Sequence, residues 1–276
     1  MGLRIQNNVE AFNAHRQLSG TASKAAKSME KLSSGFRINR AADDAAGLAI
    51  SEKMRAQIGG LGQAQRNAQD GVSLVQTAEG ALNEVHSMLQ RVRDLKVQYE
   101  NGTLDTDDKT SIVSEVKQLA LEITEIRGKT EFNGINLLDG TGGSAGTISF
   151  QVGANTGETI AVTTRDIAGA SGTGAVDSVS DTGSWEAVSL ADLDTAINNI
   201  SSLRGEFGAV QNRLEHRMAN LAAYQENLVG SESRIRDVDM AAEMVNFTKL
   251  GILQQAGTSM LAQANQAPQS VLSLLQ

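Results

Sequence analysis

Three histidines, His15, His86 and His216, are the side chains best suited to hold a metal or move a proton near neutral pH. None stands in an HExxH pattern or beside a second candidate ligand, so each reads as a helix-surface residue and no metal or cofactor site is expected. Cysteine is absent, which removes thiolate nucleophiles, thiolate metal ligands and disulfides. The carboxylates Asp43–Asp44 and Asp237/Asp239 have the residue types of a general acid and base. Neighbouring residues on a helix point apart, and both sets lie near helix starts, so capping is the expected role. The run GTGGSAG (Gly140–Gly146) imitates a phosphate-cradling loop, but it lacks the GxGxxG spacing, a strand leading in and a helix leading out. No catalytic residue is expected.

One charged run remains. LQRVRDLKVQ (Leu89–Gln98) places Arg91, Arg93, Asp94 and Lys96 on what reads as the exposed side of a long helix, with Leu95 one turn from Arg91. Most such runs are solvated faces. A guanidinium there can also make charge-assisted contacts with a partner carboxylate.

Long helices must position these residues. Aromatic residues are only 3% of the chain against 40% hydrophobic, so Ala, Leu, Val and Ile dominate, which suits helix-on-helix packing. Pro268 is the single proline, leaving long helices uninterrupted. Ile5, Val9 and Phe12 are spaced by 4 and 3, and after a stutter Leu18, Ala22, Ala25, Met29 and Leu32 repeat 4-3-4-3. Ser33, Ser34 and Gly35 break this run. From Ala45 to about Tyr99 the chain reads as one helix, striped by Leu61, Ala68, Val75, Leu82, Leu89 and Leu95 among others. Asn101-Gly102 marks a turn, and Ile112, Val116, Leu119, Ile123 and Ile126 follow as a third stripe.

The chemistry then changes. Gly, Ser and Thr dominate residues 139–186, with Arg165 the lone base among Asp139, Glu158, Asp166, Asp177, Asp181 and Glu186. TISFQVG and ETIAVTT alternate apolar and polar residues around ANTG, predicting a β-hairpin that turns at Ala154–Gly157. Residues 167–185 read as a low-complexity exposed loop. Helical periodicity returns at Leu190 and runs through Leu193, Ile200, Leu203, Phe207, Leu214 and Leu221. A final helix from about Ser231 carries Leu253, Met260, Val271 and Leu274 on one face. The fold class is therefore mainly α: a long antiparallel coiled-coil rod in which both terminal segments pair as helices, plus a small β-hairpin region.

The net charge of -8 argues against nucleic acid as a partner. No apolar run is long enough to span a bilayer. The opening MGLRIQNNVEAFNAHRQ lacks the apolar stretch of a Sec-type signal peptide.

Four segments carry a resemblance: EKLSSGFRINRAADDAAGLAISEKM (Glu30–Met54), NAQDGVSLVQTAEGALNEVHSMLQRVRDL (Asn67–Leu95), TEFNGINLLDG (Thr130–Gly140) and the terminal ILQQAGTSMLAQANQAPQSVLSLLQ. They resemble bacterial flagellin, over about residues 1–166 and 186–276. The resemblance implies a structural subunit that polymerises with itself into the extracellular flagellar filament and serves motility. It implies export through the flagellar type III apparatus without a cleaved signal peptide. The implied partners are an export chaperone, the filament cap and hook-junction proteins, and the host Toll-like receptor 5. Residues 1–43 with 232–276 would form the coiled-coil filament core, packed through Ile5, Val9, Phe12, Leu253, Met260, Val271 and Leu274. Residues 44–166 with 186–231 would form a rod domain with the hairpin, and residues 167–185 would replace outer domains. The family's receptor pattern maps onto Arg91 and Leu95 in QRVRDL and, through the looser match SIVSEV, onto Glu115.

Other readings are a hook-filament junction protein, which shares terminal patterns, and a membrane-active secreted coiled coil. Against the latter stand the amides Gln254, Gln255, Gln263, Asn265 and Gln266 on the last helix. An enzyme would need a catalytic insertion, for which residues 167–185 leave no room. No charged residue follows Lys249. Burial against a single partner helix falls short of the entropy of ordering this end, so both ends are expected to be largely disordered in the monomer and to fold on polymerisation.

Overall fold

The computed structural model of the chain describes residues 8–168, 174–177, 179 and 181–274; the side chains at 175, 177 and 267–274 are outside that description. Ile5 and the side chains of Val271 and Leu274 therefore lie outside the described residues.

Three helices open the chain: α1 (Val9–Ser34), α2 (Ala45–Tyr99) and α3 (Thr106–Lys129). Their ends are set by local chemistry. The Asn8 side chain accepts from the Ala11 N–H, Asp44 Oδ1 from Gly47 N–H and Asp105 from Thr106 N–H. α1 stops at Gly35, with φ 75°, whose N–H reaches the Lys31 carbonyl. Two small antiparallel sheets follow. In the first, β1 (Glu131–Phe132) pairs with β2 (Ile135–Asn136) across Asn133 and Gly134, both at positive φ. In the second, β3 (Thr147–Gln151) pairs with β4 (Thr159–Thr163), setting Ile148 opposite Val162 and Phe150 opposite Ile160. The expected hairpin is present, turning over residues 152–158. After α4 (Gly174–Asp177) and α5 (Thr182–Ala187) come α6 (Leu190–Arg236) and α7 (Met240–Leu274). α7 starts later than Ser231 because the Asp239 carboxylate caps the Ala241 and Ala242 N–H groups.

The chain forms two compact units, residues 57–226 and residues 1–56 with 227–276; the division falls within α2 and α6. In the first, α6 runs antiparallel to α2: Arg93 meets Asp194, Glu79 meets Arg204, and Gly71 lies against Leu214. α3 folds back along α2, bringing Glu115 to Arg91. The stripes Val75, Leu82, Leu89 and Val92 of α2, Val116 and Ile123 of α3, and Leu193, Ile200 and Phe207 of α6 interlock in one core. The β3–β4 hairpin docks through Val152 and Ile160 onto Ala68 and Leu214. That approach needs Gly71, where a Cβ would come within 3.3 Å of the Phe150 ring.

For the described residues of 167–185 the reading as an exposed loop is corrected; residues 169–173, 178 and 180 lie outside the described residues. Ile167, Val176, Val179 and Trp185 are buried, and all four belong to the core beside α2, α3 and α6. The apolar residues here are sparse, but the core reaches them. Asp181 and Ser184 close a capping box at the start of α5.

Candidate assembly surface

The residue types best suited to catalysis do not converge. His15 and His216 are exposed, and His86 is half-buried on α2 beside Gln90. Among the described residues, no group of three or more His, Asp or Glu is placed to hold a metal ion, and no helix is long and apolar enough to cross a membrane. Asp44 and Asp239 cap helices, while Asp43 accepts the Asn39 and Arg40 N–H groups in the preceding loop. Those backbone donors, Arg40 first, hold the Asp43 carboxyl below its usual range. GTGGSAG is a tight turn, with Gly140, Gly143, Ala145 and Gly146 all at positive φ. Asp139 fills its mouth, accepting from Thr141 N–H and Oγ1 and from Asn136. A carboxylate held there by hydrogen bonds, against the cost of its burial, repels phosphate.

The charged run on α2 divides. Arg91 is exposed and gives two hydrogen bonds to Glu115 Oε1, from Nε at 2.9 Å and from Nη2 at 2.7 Å. Two of the three residues in the receptor pattern therefore touch each other. The third, Leu95, is 2% exposed and lies within the core stripe. Lys96 corrects the expected exposed face, being only 3% exposed. Its ammonium donates to the Trp185 carbonyl at 3.1 Å and lies 5.1 Å from the Trp185 ring and 5.4 Å from that of Tyr99. Trp185 covers this lysine, and nothing local to LQRVRDLKVQ announces it. Burial, and then the charge of Glu186, push the Tyr99 hydroxyl up.

The terminal unit has a different surface. α1 and α7 pair antiparallel: Asn8 Nδ2 donates to the Ala264 carbonyl at 2.8 Å, Leu18 packs at Gly257, Ser28 donates to Glu243, and Phe36 bridges Asp237. At the closed end of the pair, the Phe36 ring has the Arg236 guanidinium 4.8 Å away and that of Arg55 5.4 Å away. These cations in turn meet Glu52 at 2.6 Å and Glu232 at 3.0 Å. Sequence reasoning passed over this aromatic joint, and also the β1–β2 hairpin, although Asn133-Gly134 is a strong two-residue hairpin signal.

Leu250 is buried, while Gly257, Leu261 and Ala264 are half-buried. The opposite side is uncovered. Phe12 and Val245 are both 71% exposed, Met260 64% and Ile252 63%, and Val9 and Leu253 are exposed too. Met244, Val245, Ile252 and Leu253 line one shallow apolar groove, and Ala14, Gly257, Met260 and Ala264 line another between α1 and α7. Exposed large apolar side chains gathered on one helix pair in this way mark an interaction surface. Of the expected packing stripe, Val9, Phe12, Leu253 and Met260 thus lie on the open face.

Comparison with known proteins gives this arrangement a family. Residues 5–142 match the bacterial flagellin N-terminal helical region, and residues 190–275 match the bacterial flagellin C-terminal helical region. A flagellin of Halalkalibacterium halodurans is 52% identical over 274 residues, covering 98% of this chain and 99% of its own. A flagellin of Bacillus subtilis is 51% identical over 304 residues, covering 99% of this chain and 100% of its own. The crystal structure of Bacillus cereus flagellin superposes with a TM-score of 0.50 at 37% identity, covering 56% of this chain and 88% of that one. The chain belongs to the bacterial flagellin family and is a structural subunit of the flagellar filament, the extracellular polymer of motility.

Proposed function

We propose that polymerisation buries the open faces of α1 and α7 against other copies of this chain, so that the terminal unit packs as the filament interior and residues 57–226 supply the rod domain. The single observation that carries this reading is the uncovered apolar face of the terminal helix pair. Val9, Phe12, Leu253 and Met260 are the packing residues, with Ile5, Val271 and Leu274 continuing the same role. Each large apolar side chain buried in assembly contributes about 1.5–3 kcal/mol, which rewards association where the isolated chain gains nothing. Phe12→Asp combined with Met260→Asp is expected to leave a helical monomer by circular dichroism and to abolish seeded sedimentation. Normal filaments from that double variant would overturn the reading.

In the same reading the chain is a structural part and not an enzyme. It leaves the cell through the flagellar type III export apparatus without a cleaved signal peptide, held by an export chaperone beforehand and meeting cap and hook-junction proteins at assembly. Family membership is the support for these partners. The exposed Arg91–Glu115 pair is the contact offered to Toll-like receptor 5, with Leu95 shaping the helix beneath it. Arg91→Ala is expected to cost about 2 kcal/mol, roughly 30-fold in half-maximal dose, in a receptor reporter assay on monomer. An unchanged dose would remove Arg91 from the contact.

A further inference from the structure

Sulfur is distributed unevenly over this molecule. Cysteine is absent and the chain has eight methionines, so thioethers are its only sulfur. Met88 and Met218, in the unit of residues 57–226, are half-buried and pack against apolar clusters. Met29, Met240, Met244 and Met260, all in the terminal unit, are 54%, 48%, 51% and 64% exposed. Two of the four line the open face, whereas Met54, also in the terminal unit, is half-buried. Met244 lines one of its grooves beside Val245 and Ile252, and Met260 lines the other beside Ala14 and Gly257.

We propose that Met244 and Met260, on the open face, are oxidation sites that gate assembly: a subunit oxidised there before incorporation cannot enter the polymer. The inference rests on the reading that the open face is buried between copies. The reaction needs a two-electron oxidant of the peroxide class. A lone pair on the thioether sulfur attacks one peroxide oxygen, the O–O bond breaks and water leaves, so that sulfur is oxidised to the sulfoxide and peroxide is reduced. The product is a polar, hydrogen-bond-accepting group on a surface that assembly must dry. A buried polar group without a partner opposes association strongly, and two on one face act together. The same chemistry inside a formed filament is slowed, since the sulfurs are then covered. Sulfoxide is reducible by methionine sulfoxide reductases, so the block is reversible. Leucine has nearly the volume of methionine and cannot be oxidised, so it separates the sulfur's chemistry from its packing.

The experiment treats full-length monomer with hydrogen peroxide, locates sulfoxides by peptide mass spectrometry and follows seeded polymerisation by sedimentation. Oxidation is expected at Met29, Met240, Met244 and Met260 several-fold faster than at Met88 and Met218, with at least about a tenfold loss of incorporation tracking Met244 and Met260. Reductase treatment should restore it. In the variant with all four changed to Leu, whatever its untreated incorporation, peroxide should cause no further loss. Oxidised wild type that polymerises normally overturns the inference, as does equal loss after peroxide in the Leu variant. Should the Leu variant fail untreated, reductase rescue of the oxidised wild type decides the matter: no rescue overturns it. The charged Phe12 and Met260 variant keeps the two readings apart. If it assembles, the open face is not the contact; if it fails while oxidised wild type assembles, only the oxidation gate falls.

Discussion

Residues 57–226 and the terminal unit are written in the same sequence language and come out differently. In both, apolar residues recur every three or four positions along helices. In the first, the stripes of α2, α3 and α6 meet three ways around Leu82, Leu89, Val116, Ile200 and Phe207, and the two hairpins with Trp185 complete the cover. In the second, α1 and α7 pair with each other over most of their length, and among the described residues the buried hydrophobic side chains are Ile38 and Leu250. A pair of helices has one mutual seam, so any second apolar face stays wet. Periodicity therefore reports that a face is to be buried and not by which molecule. The first unit satisfies its stripes within the chain, and the second leaves Phe12, Val245, Ile252 and Met260 exposed.

Substitutions that exchange the behaviour of the two units put this contrast to the test. The largest effect on folding is expected at Leu89→Ala, which opens a cavity where three helices meet and should cost about 2–5 kcal/mol, read from urea denaturation of the monomer. A loss below about 1 kcal/mol would mean that this core is not close-packed. Lys96→Met comes next. It keeps the buried stem and deletes the donor to the Trp185 carbonyl, and should cost about 1–3 kcal/mol, with a change in tryptophan fluorescence. In the terminal unit, the Ser28 hydroxyl holds the Glu243 carboxyl below its usual range, against the opposing pull of burial and with help from Asn246 and Lys31. A depressed folded-state pKa contributes stability above the unfolded value of about 4.3, and that contribution disappears as pH falls through the folded value. Amide-exchange protection factors along α1 and α7, corrected for the intrinsic pH dependence, should fall over that acidic window in wild type, with this fall flattened in Glu243→Gln. The smallest effect on folding belongs to Val245→Ser, within about 0.5 kcal/mol. The same variant should nevertheless raise the critical concentration for seeded growth, and an unchanged value would take Val245 off the contact.

Much of the fold was legible because it is local. The span of α2, the turn at Asn101-Gly102, the β3–β4 alternation and the capping by Asp44 and Asp239 each follow from residues close together in sequence. What escaped depends on distant partners. Lys96 reads as a solvated charge until Trp185, on α5, covers it. Ile167, Val176 and Val179 sit among glycines and serines at no regular spacing, so periodicity is silent although the core takes all three. Leu95 carries two signals, one from its stripe and one from the receptor pattern, and the stripe describes where its side chain goes. The β1–β2 hairpin was missed differently, since its Asn-Gly turn was visible and its strands are only two residues each. For the assembly surface, the apolar faces could be read, but which of them would stay open could not. That depends on Leu250, Gly257 and Ala264 facing α1 and so turning Leu253 and Met260 away.

The hydrogen bond between Asn8 and the Ala264 carbonyl joins groups 256 residues apart, and that separation sets a timetable. At a synthesis rate of about 5–20 residues per second, α1 leaves the ribosome about 10–50 s before its partner exists. α2 and α3 wait far less, because one short turn joins them and Glu115 lies only 24 residues beyond Arg91. Loop closure favours the near contact over the far one. The nascent chain is thus expected to acquire its middle first and to carry α1 without its mate until translation is almost finished, however strong the final pairing becomes.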